Sequence, residues 1–353
     1  MAGGVKTQAL RRSGPRKRKV ALTGADGFLG RNLVGLLEED PRFERIVAID
    51  VRQPQTAGHK TRFYQVDLTE PSADARLGEL LDAEDVDTFV HLAFLASPTY
   101  ATAWAHELQS IGTMHVLNAC RERCIRKFVL WSETLLYGPH PDNPNFLTEH
   151  HRLRGLPGSN FLADRIDAER ETARFAEQNP DRVVTILRLA PMLGPTVQNY
   201  VTRWLSRKLV PTMMGFDPLL QFLHELDAVA AFMLAIDRDV PGAFNIVGDG
   251  VLPVSTAVKL AGRIALPIPH FLARQANALF WAAHLNEAPP AFLDFLRYLC
   301  VADGARARDE LGFRPAFTSR EAVLDFGGTL RLRDARLLVG ERGTADRLGA
   351  NAE

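Results

Sequence analysis

The sequence predicts an α/β protein with a doubly wound parallel sheet and a small C-terminal lobe. Between residues 19 and 190, short apolar runs typical of buried strands alternate with amphipathic runs typical of helices. A glycine-rich turn follows the first apolar run. After Pro191 the alternation stops and proline and glycine become frequent, so we expect a smaller lobe over residues 191–330. One further strand-like run, at 243–247, is expected to return to the main sheet.

The glycine-rich turn is the stretch Thr23–Gly30, between the apolar run Val20–Leu22 and an amphipathic run over Phe28–Leu37. Its first glycine permits a sharp turn, its second leaves room for a pyrophosphate, and its third lets the helix lie close to the strand. The free N–H groups at the start of the helix would then point at the phosphates. This order of strand, turn and helix predicts a Rossmann-type dinucleotide-binding domain over residues 19–190. Its expected phosphate-binding residues are Gly24, Gly27, Phe28, Leu29 and Gly30.

A second apolar run, Arg45–Asp50, ends in a carboxylate. Asp50 lies at the interval expected for an acid that accepts hydrogen bonds from the adenosine ribose hydroxyls. The same carboxylate would repel a 2′-phosphate, which favours NAD over NADP as the cofactor. Arg52 opposes this preference, because its guanidinium could hold that phosphate.

Composition is ordinary for a globular protein of 353 residues, with 42 Lys and Arg against 42 Asp and Glu. The charge is unevenly placed, because residues 1–19 carry seven cations and no acid. We therefore expect residues 1–18 to form a disordered basic tail, with weak attachment to anionic lipid or nucleic acid as the alternative. Residues 331–353 are expected to form a loose, charged extension. No apolar signal segment follows the tail, and no stretch is apolar enough to predict a transmembrane segment.

The cysteines are three in number, Cys120, Cys124 and Cys300. An odd, sparse set predicts reduced thiols in a cytoplasmic protein rather than a disulfide framework. No Cys or His spacing resembles a metal site, so we expect no metal, and we expect no specific nucleic-acid partner.

From about Lys19 to Phe326 the chain resembles the extended short-chain dehydrogenase/reductase superfamily, in its NAD-dependent epimerase/dehydratase branch. The resemblance implies that Asp67 and Leu68 contact the adenine and that the Ala93 region lines the phosphates. It also implies a small-molecule substrate and pairing into a homodimer through two helices. Besides the glycine turn and Asp50, the motifs that carry it are Val66-Asp67-Leu68, His91-Leu92-Ala93, Gly112-Thr113, Tyr137-Gly138 and Asp309–Pro315.

The catalytic positions implied by the resemblance are altered in this chain. The superfamily needs a tyrosine four residues before a lysine, which holds the nicotinamide ribose and lowers the pKa of the phenol. Aligned by the flanking pattern, Phe161 stands at the tyrosine position and Arg165 at the lysine position. The serine position, four residues before the Tyr-Gly pair, holds Glu133, next to Ser132. Phe161 has no proton to give, whereas Arg165 can still donate hydrogen bonds to ribose hydroxyls.

Three interpretations follow. In the first, the protein is an epimerase- or dehydratase-like oxidoreductase that uses another acid at the strand end, Glu133, with Ser132 and Arg165 beside it and Tyr137 or His151 as further candidates. In the second, it is a catalytically inactive NAD(P)-binding sensor, scaffold or subunit. In the third, the helix register is misread and another tyrosine takes the role. The third is disfavoured, because no other tyrosine precedes a lysine or arginine by four residues.

The lobe gives one indication of the substrate. Sugar-nucleotide members carry an arginine that holds the diphosphate, and Leu220 falls near that place. A diphosphate without a cation is poorly held, so a small, more apolar substrate is favoured. The segment Ile268–Leu299 is rich in large apolar residues. It is interpreted as an apolar substrate wall, a face that touches membrane or a partner, or ordinary lobe packing.

Overall fold

A computed structural model describes residues 17–123, 125–285 and 288–349, with residues 336–349 described by their backbone alone. The predicted basic tail, apart from its last two residues, lies outside the described residues. So do Cys124 and the last four residues of the predicted C-terminal extension.

Strands and helices alternate through the first half of the chain, and shorter strands follow. In chain order the strands are β1 (Arg18–Thr23), β2 (Phe43–Asp50), β3 (Thr61–Gln65), β4 (Thr88–His91), β5 (Lys127–Glu133), β6 (Val183–Leu189), β7 (Met192–Leu193), β8 (Leu209–Met213), β9 (Leu219–Leu220), β10 (Leu223–His224), β11 (Gly242–Ile246), β12 (Leu252–Pro253) and β13 (Ile264–Ile268). The α-helices are α1 (Phe28–Glu39), α2 (Ala73–Glu84), α3 (Thr102–His106), α4 (Gly112–Glu122), α5 (Asn160–Gln178), α6 (Tyr200–Ser206), α7 (Glu225–Asp237), α8 (Val254–Leu260), α9 (His270–Ala282) and α10 (Ser319–Gly349). A π-helical turn, Glu107–Ile111, joins α3 to α4.

Seven parallel strands form the main sheet, in the order β3-β2-β1-β4-β5-β6-β11. The chain builds outwards from β1 in both directions, so the strand order reverses between β1 and β4. Ligands of such sheets bind outside the carboxyl ends of the strands at that reversal. The predicted doubly wound parallel sheet is confirmed. Strand β11 lies beside β6, at the position along the chain where a returning strand is expected.

Helices cover both faces of the sheet, because alternate side chains of each strand point to opposite faces. Val20 and Leu22 of β1 pack in a core with α1 and α7, whereas Ala21 packs in a second core with α2 and α4. All three side chains are fully buried. Burial on both faces explains why the strand sequences are continuous apolar runs rather than alternating ones.

The lobe is built from short strand pairs, β7 with β10, β9 with β12 and β8 with β13, and from α6, α8, α9 and α10. Its core joins α8 to α10 through Ala257, Val323 and Phe326. The boundary predicted at residue 330 falls inside α10, and Leu330 is buried in the same core. The helix continues past that boundary to Gly349, so the described part of the predicted loose extension is helical. Across the described residues, every helix is too short or too polar to cross a membrane.

Lys127, at the start of β5, connects the sheet to the end of α7 through hydrogen bonds. Its ammonium is fully buried and donates to the carbonyl oxygens of Ala235, Ile236 and Arg238 at 3.1, 2.7 and 2.9 Å. It also lies 2.7 Å from the carboxylate of Asp239. Burial lowers the pKa of Lys127, and Asp239 opposes that shift.

We expect Lys127→Met to destabilise the fold, because the buried carbonyls lose their donor, at a cost of about 2 to 3 kcal/mol. Arg126→Met, which removes a half-exposed partner of the same Asp239, should change the free energy of unfolding by less than about 1 kcal/mol. Chemical denaturation of the two variants measures the difference. Equal effects would show that the capping of α7 by Lys127 is unimportant.

Candidate functional site

A cleft of about 560 Å³ lies at the carboxyl ends of β1, β2, β4, β5 and β6 and extends to the lobe. One end is formed by the glycine turn and the other by Glu133, Pro191 and Tyr200. The structure brings the predicted cofactor residues together, because all of them except Arg165 line this cleft. They are Gly24, Gly27, Phe28, Leu29, Gly30, Asp50, Arg52, Asp67, Leu68 and Ala93.

The glycines allow the backbone of the turn to lie in direct contact with the backbone of neighbouring residues. Gly24 has φ of +67°, and a Cβ there would lie 2.6 Å from the carbonyl carbon of Leu92 on the chain that leaves β4. A Cβ on Gly30 would lie 2.2 Å from the oxygen of Gly24. Gly27 has an ordinary φ of −68°, and its side is open apart from the Gly24 oxygen at 3.1 Å. No side chain caps α1, so the N–H groups of its first turn face the cleft, and this arrangement fits a pyrophosphate.

Asp50 ends β2 with its carboxylate held by the backbone. Oδ2 accepts from the N–H of Asp26 at 2.9 Å and Oδ1 from the N–H of Val51 at 2.7 Å. This fixes the carboxylate on the cleft wall, with lone pairs remaining for ribose hydroxyls. The Arg52 side chain is 81% exposed and its Nε lies 3.4 Å from Asp26 Oδ2. The adenosine end of the cleft therefore fits NAD.

At the other end of the cleft, a buried ion pair occupies the predicted catalytic position. Arg165 Nη2 lies 3.3 Å from Glu133 Oε1 and donates to the carbonyl oxygen of Leu95 at 2.8 Å. The guanidinium is surrounded by the rings of Trp131 at 4.7 Å and Phe161 at 5.3 Å from their centroids. Glu133 lines the cleft, whereas Arg165 lies behind it. Burial raises the pKa of the Glu133 carboxyl, and the Arg165 charge opposes that rise.

Several buried polar atoms at this end have no hydrogen-bond partner among the described residues. They are Glu133 Oε2, Arg165 Nε and Nη1, Gln109 Nε2 and the hydroxyl of Tyr200. A buried polar atom left unpaired costs free energy. Of these residues Glu133 and Tyr200 line the cleft, so they are the members of the group that lie next to the space for a ligand.

Tyr200 is the site residue that the sequence analysis missed. It starts α6 in the lobe, and its ring packs edge-on to Phe161 at 6.4 Å between centroids. Burial, reinforced by the charge of Glu133, raises the pKa of the phenol well above its usual value, while Arg165 opposes the rise. A tyrosine four residues before a cation lies on the same helix as that cation. Tyr200 lies on another helix, in the opposite wall, so the spacing rule does not include it.

Ser132, which the sequence analysis predicted as a catalytic residue, is not among the side chains that line the cleft. Its hydroxyl donates to Glu169, which also binds Arg188 at 2.9 Å through Nε. Arg188 in turn donates to the hydroxyl of Tyr137 at 2.7 Å, and Tyr137 donates to Asn245 at 2.9 Å. Adjacent residues on a strand point to opposite faces, so Ser132 turns away when Glu133 faces the cleft. This network also engages Tyr137.

The other candidate, His151, lies away from the cleft wall and bonds with Thr148 at 3.0 Å. Among the described residues, no three His, Cys, Asp or Glu side chains are grouped as a metal site would require. Cys120 and Cys300 are free thiols.

A second cavity, of about 380 Å³, opens from the Glu133 end of the cleft into the lobe. The two share Leu135, Pro191, Tyr200 and Val201 as wall residues. The second cavity is lined almost entirely by aliphatic and aromatic side chains, and Arg207 is the one charged residue among its described lining residues. Leu220, predicted to stand where a diphosphate-binding arginine would be, is part of this wall.

A family model described as the NAD dependent epimerase/dehydratase family matches residues 20–247. The chain belongs to the NAD-dependent epimerase/dehydratase family. An uncharacterized protein of Mycobacterium tuberculosis is 35% identical over 320 residues, which cover 88% of this chain and 84% of the relative. A 3-diazoavenalumate denitrifying reductase of Streptomyces is 26% identical over a match that covers 85% of this chain and 97% of the reductase.

Solved structures agree with this family member in fold. UDP-glucose 4-epimerase of Thermotoga maritima, solved with UDP-glucose, superposes with a TM-score of 0.69 at 18% identity, over 89% of this chain and 99% of the epimerase. MoeE5, in complex with UDP-glucuronic acid and NAD, superposes with a TM-score of 0.68 at 23% identity, over 89% of this chain and 99% of MoeE5. The resemblance to the epimerase/dehydratase branch is confirmed. The predicted cofactor agrees with the NAD dependence in the family's description.

We expect Gly27→Trp to abolish NAD binding while the fold is kept. The Gly27 backbone suits any residue, and an indole there would fill the space left for the pyrophosphate. Gly30→Ala should instead lower the melting temperature, because its Cβ meets backbone at 2.2 Å. Calorimetric titration of NAD together with thermal unfolding separates the two effects. Tight NAD binding by Gly27→Trp would place the cofactor elsewhere.

We expect Asp50→Asn to reduce the preference for NAD over NADP. The amide keeps the shape but loses charge-assisted acceptance from the ribose, which is worth about 1.5 to 3 kcal/mol, or tenfold or more in affinity. The repulsion of a 2′-phosphate disappears in the same change. Titration of both nucleotides into this variant, with Arg52→Ala as the control, tests it. An unchanged affinity ratio in Asp50→Asn would show that Asp50 does not select the nucleotide.

Proposed function

We propose that this family member is an NAD-dependent oxidoreductase that interconverts the carbonyl and alcohol forms of a small, apolar substrate. The positions of the Tyr-x-x-x-Lys pair hold Phe161 and Arg165 in this chain. In our proposal Glu133, together with Arg165, takes over the role of that pair. The observation that carries the proposal is the unpartnered Glu133 carboxylate oxygen at the point where the cofactor cleft opens into an apolar cavity.

The chemistry follows from this placement. NADH, when bound along the cleft, would supply the hydride for the carbonyl carbon, and the carbonyl oxygen would then need a proton. Glu133 in its neutral form then gives its proton to that oxygen, and the resulting carboxylate is stabilised by Arg165 at 3.3 Å. Burial shifts the pKa of Glu133 in the direction that favours the neutral form. The Tyr200 hydroxyl, buried at the same junction, orients the substrate oxygen.

The lining of the second cavity supports an apolar substrate. Its walls offer large apolar surface and few groups to hold a charged one. A diphosphate would find one cation, Arg207, and would bury its remaining charge against aliphatic side chains at a high cost in desolvation. The relative from Streptomyces is named as a reductase, which supports a reductive activity in general.

A second candidate function is cofactor binding without turnover, as a sensor, scaffold or subunit. It is favoured by the direct Glu133–Arg165 ion pair, since a carboxylate held by a guanidinium is a weaker acid–base group than a free one. A cytoplasmic location and a homodimer remain predictions with either function.

In the oxidoreductase, Glu133→Gln should lower turnover by about 10²-fold or more, because proton transfer by a positioned group contributes 10² to 10⁴, and NAD affinity should stay within about twofold of wild type. The measurement is the absorbance of reduced nicotinamide with a panel of aliphatic and aromatic aldehydes and ketones. Glu122→Gln, an exposed glutamate on α4, is the control. If wild type binds NADH but consumes none with any member of the panel, the second candidate function is the correct one.

The pH dependence has a definite sign. Reduction needs neutral Glu133, so the rate should fall as the pH rises through the Glu133 pKa, which burial raises above the usual glutamate value. Glu133→Gln should remove this descending limb, whereas Glu122→Gln should keep it.

A further inference from the structure

An exposed apolar surface covers one side of the lobe, and we call it the lobe face. Large apolar side chains that are 39% to 73% exposed lie within two short stretches, 200–216 and 254–285. Ten of the eighteen large, exposed apolar side chains among the described residues are in these stretches. They are Leu209, Met214, Phe216, Ile264, Leu266, Phe271, Leu272, Leu279, Phe280 and Leu285. Such a concentration is larger than scattered surface leucines explain and marks an interaction surface.

The architecture leaves this surface open. Strands β8 and β13 pair only with each other, and every residue of β13 but the last is exposed. Helix α9 follows directly and buries just Ala273 and Asn277. These two residues face the second cavity, so the opposite side of α9, with Phe271 and Leu279, points away from the protein.

The charges around the lobe face indicate which kind of partner covers it. The two stretches contain six Lys and Arg and no Asp or Glu, although the whole chain has 42 of each sign. The six are Arg203, Arg207, Lys208, Lys259, Arg263 and Arg274. Three acids lie nearby on other segments. Asp334 pairs with Arg263 at 2.7 Å, Asp294 with Arg297 at 3.3 Å, and Asp217 binds the start of α8. The face is thus apolar with an excess of cations.

We propose that the lobe face docks on the surface of a membrane that contains anionic lipid. Apolar side chains of α9 and β13 enter the boundary between headgroups and acyl chains, and the surrounding Lys and Arg bind lipid phosphates and carboxylates. A second copy of the chain is a poorer occupant. Pairing two lobe faces would place the excess cations of both copies against one another across a low-dielectric contact.

This docking deepens the proposed function, on which the following consequence rests. Leu209, Leu266 and Phe280 belong both to the lobe face and to the wall of the second cavity. An apolar substrate dissolved in the bilayer would therefore reach the cavity from the docked face without crossing water. The docking itself does not depend on catalysis.

The test is co-sedimentation of the full chain with vesicles. We expect binding to vesicles of equal parts phosphatidylcholine and phosphatidylserine, weak binding to phosphatidylcholine alone, and a decline with added salt. The double variant Phe271→Gln/Leu279→Gln and the charge variant Lys208→Glu/Arg274→Glu should each lower vesicle affinity by about tenfold or more. Both sets of residues lie outside the cavity lining, so NAD titration should match wild type and report folding independently.

Two control variants show which residues are responsible for vesicle binding. Leu36→Gln/Leu332→Gln removes apolar side chains elsewhere that are 44% and 65% exposed and should leave vesicle binding unchanged. Lys6→Gln/Arg11→Gln/Arg12→Gln tests the basic N-terminal segment. The proposal is overturned if wild type ignores the anionic vesicles, if only the N-terminal variant loses binding, or if analytical ultracentrifugation shows a dimer that the lobe-face variants dissociate. Vesicle binding without carbonyl reduction would overturn the proposed function alone.

Discussion

The close backbone contact between the glycine turn and the chain that leaves β4 sets the geometry of the cofactor end of the cleft. Gly24 lies against the backbone of Leu92, and Gly30 lies against the oxygen of Gly24, at distances that exclude any Cβ. This contact places the uncapped start of α1 at the carboxyl edge of the sheet. The N–H of Asp26, in the same turn, then fixes the Asp50 carboxylate. The residues expected to bind the phosphates and the ribose are therefore brought together by one local packing constraint.

This locality explains which parts could be predicted from the sequence. The strand, turn and helix of the dinucleotide motif are neighbours along the chain, and the role of each glycine follows from backbone geometry alone. Asp50 could be placed for the same reason, since it ends the next strand. The alternation of apolar runs predicts the sheet, because both faces of each central strand are buried. The course of the C-terminal helix past Leu330 could not be predicted, since its outer turns are rich in charge and lack a clear apolar stripe.

The catalytic end depends on contacts between distant segments. The alignment placed Phe161 and Arg165 on α5 and Glu133 on β5, but it did not predict that Arg165 and Glu133 form an ion pair. Tyr200 enters from the lobe, and no pattern along the chain links it to β5. The strand period does bear on Ser132: a strand turns successive side chains to opposite faces, and of these two neighbours Glu133 lines the cleft whereas Ser132 bonds to Glu169.

The replacement of lysine by arginine bears on the choice of acid. A lysine ammonium lowers the pKa of a neighbouring phenol and so suits a tyrosine. Here a permanently charged guanidinium lies 3.3 Å from a carboxyl group that burial makes a weaker acid. Burial and the cation act in opposite directions on Glu133, which keeps its pKa between that of an exposed glutamate and that of an isolated buried one. The residues at 133, 161 and 165 therefore form one packed group. In the oxidoreductase that we propose, the guanidinium at 165 would stabilise the carboxylate at 133 once its proton has been given up.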